Sequence, residues 1–221
     1  MKEARVFLVD DHPVVREGIG RLIDREPDLN VCGEAEDVPG AIEGIERTRP
    51  DVVIVDLSLK GSSGLDLIMD IKARWPEMRM LVLSMFDEAY YAERVLRVGA
   101  MGYVMKQEPP RTVLDAIRQV MKGEVFVSEQ VSSRMLQGLV HTSGDSFTSS
   151  LDRLSDREMQ VFRMIGEGLT YQEIAEGLTL SVKTVESHVE RIKEKLSIRS
   201  GRELLMRAVK WVLHSKGMGL I

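Results

Sequence analysis

Five short apolar runs recur along the first 125 residues: VFLV (6–9), LNVC (29–32), VVIV (52–55), MLVL (80–83) and GYVM (102–105). They are apolar throughout and rich in β-branched residues, which predicts strands buried on both faces. Amphipathic stretches with helical period separate them, at about 14–26, 38–48, 65–75, 88–98 and 111–122. Five βα units of this length predict an α/β, doubly wound, five-stranded parallel sheet with helices on both sides and right-handed crossovers.

No strand pattern recurs beyond residue 125. SEQVSSRMLQGLV (128–140) reads as one more helix, with Ser128 as its N-cap. HTSGDSFTSS (141–150) is small, polar and unpatterned, as a linker is. From 151 onward the pattern is helical, near 155–167, 171–178, 182–196 and 200–214. Ser155, Ser181 and Ser200 stand at helix starts, and Ser155 with Glu158 predicts a capping box. Gly166, Gly168 and Gly177 punctuate the ends. The expected organisation is therefore an α/β domain over 1–125, a linker helix and linker over 126–150, and a small all-α domain over 151–221.

Charge divides along the same line. Residues 1–150 carry 18 Lys and Arg against 25 Asp and Glu, and residues 151–221 carry 12 against 10. The halves therefore suit different partners. Cys32 is the only cysteine, which excludes an intramolecular disulfide and a cysteine zinc cluster; it reads as a small core side chain. His12, His141, His188 and His214 are scattered and form no ligand pair. Neither a signal peptide nor a membrane span is visible, so a cytoplasmic protein with no membrane partner is expected.

Chemistry concentrates at strand ends. The first strand runs into Asp10-Asp11, the third into Asp56, the fourth into Ser84 and the fifth into Lys106. Open parallel sheets bind ligands at this edge. Converging carboxylates repel one another and call for a cation, and an all-oxygen site suits Mg²⁺. A carboxylate beside such an ion can attack a phosphoryl group, with Lys106 neutralising charge on the transferring oxygens. Ser84 can hydrogen-bond the product, and Tyr103 lies close enough to move with it. Taken singly, each residue has a plainer reading: Asp10-Asp11 and Asp56 as turn or cap residues, Ser84 as a satisfied strand end, Lys106 as a solvated lysine.

VDDHPVVREGI, DVVIVDLSLKGSSGLDLI, LVLSMFDE and GAMGYVMK resemble the receiver domain of response regulators, of the NarL/FixJ subfamily, over about residues 4–124. The resemblance implies a flavodoxin-like fold with Asp56 as phosphoacceptor. It implies Asp10, Asp11, Asp56 and the Ser58 carbonyl as Mg²⁺ ligands, Ser84 and Tyr103 as switch residues, and Lys106 as the phosphate-binding lysine. Lys60 and Gln107 stand where many receivers have proline, and Met85 is bulky enough to shield a phosphoryl group on Asp56.

In the second domain, TYQEIAEGL, TLS and VKTVESHVERIKEKL have helix–turn–helix spacing. Val182, Val185, Val189, Ile192 and Leu196 form the expected buried stripe. Lys183, Thr184, Glu186, Ser187, His188, Arg191 and Lys195 lie on the other face, which suits either a major groove or simple solvation. SDRE, EIAEGLTLSVKTVESHV and KL resemble the LuxR-type DNA-binding domain. That resemblance implies that Lys183, Thr184, Glu186, Ser187 and His188 face the groove, with Lys195 on a phosphate. Tyr171-Gln172 replaces the usual asparagine–lysine pair, and Glu190 adds acid to this face.

The reading that follows is a two-component response regulator, no enzyme beyond Mg²⁺-dependent self-phosphorylation and dephosphorylation at Asp56. Its expected partners are a sensor histidine kinase or other phosphodonor, double-stranded DNA, RNA polymerase as a candidate, and a second copy in an active homodimer. One alternative is an orphan DNA-binding regulator working without Asp56 phosphorylation. Another is a metal-dependent phosphohydrolase, for which no substrate-binding cap is visible.

Overall fold

The computed structural model describes residues 3–59, 62–140, 151 and 153–215, without the side chains of 62, 134, 137–140 and 214. The expected linker over 141–150, His141, Lys60 and the side chain of His214 lie outside the described residues. The chain divides into two compact units, Met1–Met135 and Leu136–Ile221.

The first unit opens with β1 (Ala4–Val9), α1 (Pro13–Ile23), β2 (Leu29–Ala35), α2 (Val38–Thr48) and β3 (Val52–Val55). The two-residue strands β4 (Ser58–Leu59) and β5 (Ser62–Ser63) form a small antiparallel ribbon before α3 (Gly64–Arg74). Then come β6 (Arg79–Ser84), α4 (Glu88–Arg97), β7 (Gly102–Met105), α5 (Pro110–Met121) and α6 (Glu129–Val140), the last beginning in this unit and running past its end at Met135. The main sheet is parallel, in the order β2-β1-β3-β6-β7. All five expected strands are present. The order reverses beside β1, so the carboxyl ends of β1 and β3 flank a crevice.

Side chains alternate across this sheet. Val6 and Leu8 of β1, Val52 and Ile54 of β3, and Leu81 and Leu83 of β6 join Ile23 of α1 and Val113, Ile117 and Val120 of α5 in one core cluster. On the opposite face the Phe7 ring sits between two glycines. A Cβ on Gly33 would lie 2.6 Å from it and one on Gly44 of α2 only 2.4 Å. These glycines supply space for an aromatic ring.

Full burial on both faces holds for β3 and not for β2. β2 is an outer strand, and its pairing with β1 steps from Val6↔Val31 to Phe7↔Gly33. Cys32 is left as a bulge and is half-buried, in place of the core position expected for it. β7, the other outer strand, is covered. The Tyr103 amide donates to the Phe126 carbonyl (2.8 Å), and the Phe126 amide to Met101 (2.9 Å). Residue 126 therefore belongs structurally with the sheet, one position past the boundary read from sequence.

The second unit contains α7 (Asp156–Gly166), α8 (Tyr171–Gly177), α9 (Val182–Lys195) and α10 (Gly201–Ser215). Ser155 and Glu158 form the expected capping box, and Thr170 with Glu173 forms a second one. Gly166 lets α10 approach: a Cβ there would meet the Ala208 carbonyl at 2.5 Å. Gly168 has φ +87°, whereas after α8 it is Thr179, not Gly177, that takes the left-handed conformation, at φ 55°. Val185, Val189, Ile192 and Leu196 of α9 are buried, but Val182 is 39% exposed. It is the first helical residue, a turn ahead of the packed stripe.

Candidate functional site

Two carboxylates at the carboxyl edge of the sheet are each held by one oxygen and offered by the other. Asp10 Oδ1 accepts the His12 amide at 2.8 Å, and Asp56 Oδ1 accepts the Ser58 amide at 3.1 Å. These are the local turn bonds that a plainer reading of both residues predicts. They leave each Oδ2 directed at one cation: Lys106 Nζ lies 2.6 Å from Oδ2 of Asp10 and 2.6 Å from Oδ2 of Asp56. All three side chains are nearly buried, Lys106 at 7% exposure, Asp10 at 8% and Asp56 at 2%. Burial pushes the Asp56 carboxyl above the ordinary aspartate range, against the pull of Lys106 and of the Ser58 amide.

Asp11 stands beside this pair. Ligand atoms of Asp10, Asp11, His12 and Asp56 all lie within 4.8 Å of one another. Asp11 Oδ1 is buried and has no hydrogen-bond partner; His12 Nδ1 is 2.7 Å away without hydrogen-bond alignment. A buried, unsatisfied carboxylate oxygen in an acidic cluster fits a cation site. This edge of the sheet thus carries an acidic cluster typical of metal binding. The sequence pattern groups the three aspartates but not His12, which directly follows Asp10 and Asp11 in the chain. It also misses Arg16, whose guanidinium donates to the Asp10 carbonyl (2.5 Å) and to Glu34 (3.1 Å), buttressing the loop from α1.

Gly64 fixes the other side. A Cβ on it would stand 2.1 Å from the Asp56 carbonyl oxygen, so α3 begins hard against the loop that carries Asp56. Ser63 caps α3 by accepting the Leu65 amide. Ser58 is exposed in β4. Ser84 is fully buried, and its Oγ accepts the Phe86 amide at 3.3 Å. Tyr103 is 1% exposed and its hydroxyl donates to the Phe86 carbonyl at 2.8 Å. Burial pushes that phenol well above its usual range, so it remains a donor. Met85 is 57% exposed. A cleft walled by Leu8, Val15, Ile19, Ile54 and Leu83 opens onto Asp10 and Asp56.

In the second unit, Lys183, Glu186, Ser187 and Arg191 of α9 are exposed. Lys183 and Arg191 have no acidic partner among the described residues. Thr184 Oγ1 is shared with the cap at Ser181 (2.7 Å), and Ser187 Oγ donates to the Lys183 carbonyl (2.9 Å). His188 is half-buried, and burial lowers its pKa. Lys195, matched in sequence to a phosphate contact, has its ammonium 2.6 Å from Glu158 Oε2 on α7 and is 39% exposed. Sequence reasoning also missed Arg157, which donates to the Leu178 carbonyl at 2.7 Å and so clamps the turn after α8.

Residues 6–118 match the family model of the response regulator receiver domain, and residues 152–208 that of bacterial regulatory proteins of the luxR family. The chain is a two-component response regulator. Oxygen regulatory protein NreC of Staphylococcus aureus is 37% identical over 210 residues, which span 93% of this chain and 97% of that protein. Among solved structures, two RcsB dimers bound to two parallel DNAs align with a TM-score of 0.57 at 30% identity, over 96% of this chain and 100% of that one. RcsB from Salmonella enterica serovar Typhimurium, bound to a promoter in the presence of the phosphomimetic BeF3⁻, aligns with a TM-score of 0.56 at 30% identity, over 94% and 98%. This response regulator therefore joins a receiver to a LuxR-type DNA-binding domain. Among its described residues no helix is long and apolar enough to cross a membrane.

Proposed function

We propose that Asp56 is the phosphoacceptor of this regulator and that its phosphorylation controls binding of α9 to double-stranded DNA. One observation carries the first half: the Lys106 ammonium is shared between Oδ2 of Asp10 and Oδ2 of Asp56, 2.6 Å from each. Asp56 attacks phosphorus through a carboxylate oxygen. The bond from phosphorus to the donor atom breaks, and the donor leaves with that electron pair. A sensor histidine kinase or a small acyl phosphate serves as donor. Lys106 then balances charge on the new phosphoryl oxygens, and the Ser84 hydroxyl donates to one of them. Asp10, Asp11, Asp56 and the Ser58 carbonyl would hold Mg²⁺, which supplies further charge neutralisation when bound.

The product adds about −1.5 to −2 charges to an acidic pocket, and Ser84, Phe86 and Tyr103 respond to them. In the second unit, Lys183 and Arg191 contact phosphates, while Thr184, Glu186, Ser187 and His188 face the groove. Lys195 holds α9 against α7 through Glu158. A module of this size binds weakly alone, so an active homodimer on paired half-sites is inferred, in keeping with the RcsB dimers on DNA. The site of action is the cytoplasm.

The test treats Asp56→Ala and wild-type chain with acetyl phosphate and Mg²⁺ and measures acid-labile phosphate. Full-level labelling of the variant would refute the assignment. A DNA-selection assay with and without beryllofluoride tests the coupling. Identical selection in both would instead point to a receiver that serves only as a dimerisation module.

A further inference from the structure

Two paths of hydrogen bonds leave Tyr103 and meet again at the start of α6. The first runs through its side chain. The Tyr103 hydroxyl donates to the Phe86 carbonyl at 2.8 Å, and the Phe86 amide rests on Ser84 Oγ at 3.3 Å. Two residues after Phe86 stands Glu88, the first residue of α4, which follows the Asp87 cap. The second path runs through the backbone. The Tyr103 amide donates to the Phe126 carbonyl at 2.8 Å. Two residues after Phe126 stands Ser128, which starts α6: its Oγ accepts the Val131 amide (3.3 Å) and its carbonyl the Ser132 amide (3.0 Å). One bond closes the circuit, from the Ser128 amide to Glu88 Oε1, at 2.7 Å.

We propose that Glu88 is a positioning residue that ties the first turn of α6 to the Asp56 pocket, so that phosphorylation is read out at the start of the linker helix. The proposal rests on Asp56 being the phosphoacceptor. Tyr103 is shared by both paths, and Ser84 links the first of them to the Asp56 pocket. When its hydroxyl turns to a phosphoryl oxygen, the Phe86 amide that rests on its Oγ must follow or let go. Phe86 leads directly into the cap of α4, and so moves Glu88. Phe126 is held at the edge of the sheet by two backbone bonds: its carbonyl accepts from the Tyr103 amide and its own amide donates to the Met101 carbonyl. The Glu88–Ser128 bond spans these two parts and takes up the displacement. It is charge-assisted and lies at a helix N-terminus, where a carboxylate is favoured and the first amides lack intrahelical partners. It is also exposed to solvent, so it is weak enough to switch.

Amide hydrogen exchange on the full chain, with and without beryllofluoride and Mg²⁺, tests this. Glu88→Ala should speed exchange at Ser128 by roughly fivefold, the effect of losing one ordinary hydrogen bond. Glu88→Gln keeps the acceptor oxygen and should restore most of the protection, short of the part that the carboxylate charge adds. Beryllofluoride should change exchange over residues 128–132 in wild type and Glu88→Gln and leave it unchanged in Glu88→Ala. All three proteins should be thermally stabilised by beryllofluoride, showing that the pocket still binds it. A wild-type response in Glu88→Ala, or a silent Glu88→Gln, overturns the role of Glu88 while leaving Asp56 as phosphoacceptor. A wild-type chain not stabilised by beryllofluoride overturns that reading and this proposal with it.

Discussion

Gly64 lies so close to Asp56 that a Cβ on it would stand 2.1 Å from the Asp56 carbonyl oxygen and 2.6 Å from Cα of Leu57. Both obstacles are backbone, so no rotamer relieves them. Gly64→Ala must push residues 56 and 57 away from α3. Overpacking of this kind costs about 1–3 kcal/mol, and here it also displaces the carboxylate from Lys106. Urea denaturation should show the loss, and labelling by acetyl phosphate should fall at least tenfold. Normal labelling would mean that the loop shifts without carrying the carboxylate along.

Lys106→Met leaves Asp10 and Asp56 facing each other, buried, with no ammonium between them. Breaking a buried pair from one side costs about 3–5 kcal/mol. The Asp56 carboxyl already titrates above its unfolded value because of burial. A raised carboxyl contributes stability below the unfolded value and loses it as pH rises through the folded one. Without Lys106 that loss deepens and moves upward. The variant should be far closer to wild type near pH 5 than near pH 8. An equal deficit at both would argue against charge as the cause.

Glu158 has the opposite sign. Burial alone would raise its carboxyl, but the Lys195 ammonium and the Ser155 amide outweigh burial and hold it below the ordinary glutamate value of 4.5. Such a group stabilises the fold above that value, and the contribution is lost as pH falls through the folded value beneath it. The second unit should therefore lose stability in acid, and Glu158→Gln should flatten that limb. Lys195→Ala should cost about 1–2 kcal/mol near neutrality, less than a fully buried pair because Lys195 is 39% exposed. Thermal melts across acid pH check both; an unchanged acid limb in Glu158→Gln would count against this pair.

Lys183→Ala combined with Arg191→Ala removes two exposed cations from α9. If both neutralise phosphates, binding weakens and the slope of log K against log salt falls by about 2. Titrating labelled operator DNA at several salt concentrations gives the slope, and an unaltered one would place α9 away from the backbone.

The strands were legible because a strand covered on both faces cannot hide its composition, and VVIV of β3 is the clearest case. The ends of those strands then pointed to Asp10, Asp56, Ser84 and Lys106 with no alignment. Other features depend on partners distant in sequence. Nothing around Lys195 marks Glu158 as its counter-ion 37 positions earlier, and Arg157 reaches Leu178 only after α7 and α8 have packed. Cys32 looked like core because the apolar run around it is continuous. Only the pairing with β1 reveals the skipped register that leaves it half-buried.

Among the described residues, the cover that Phe126 lays along β7 leaves β2 as the open flank of the main sheet. An intruding extended segment, whether from a misfolded neighbour or a foreign peptide, would have to align there. It would meet a strand kinked at Cys32 and carrying Glu34, which is held by Arg16. Kinks and charges are what protect outer strands from templating aggregates. The irregularity that spoils the pattern of LNVC thus also interrupts the straight edge that such a pairing would need.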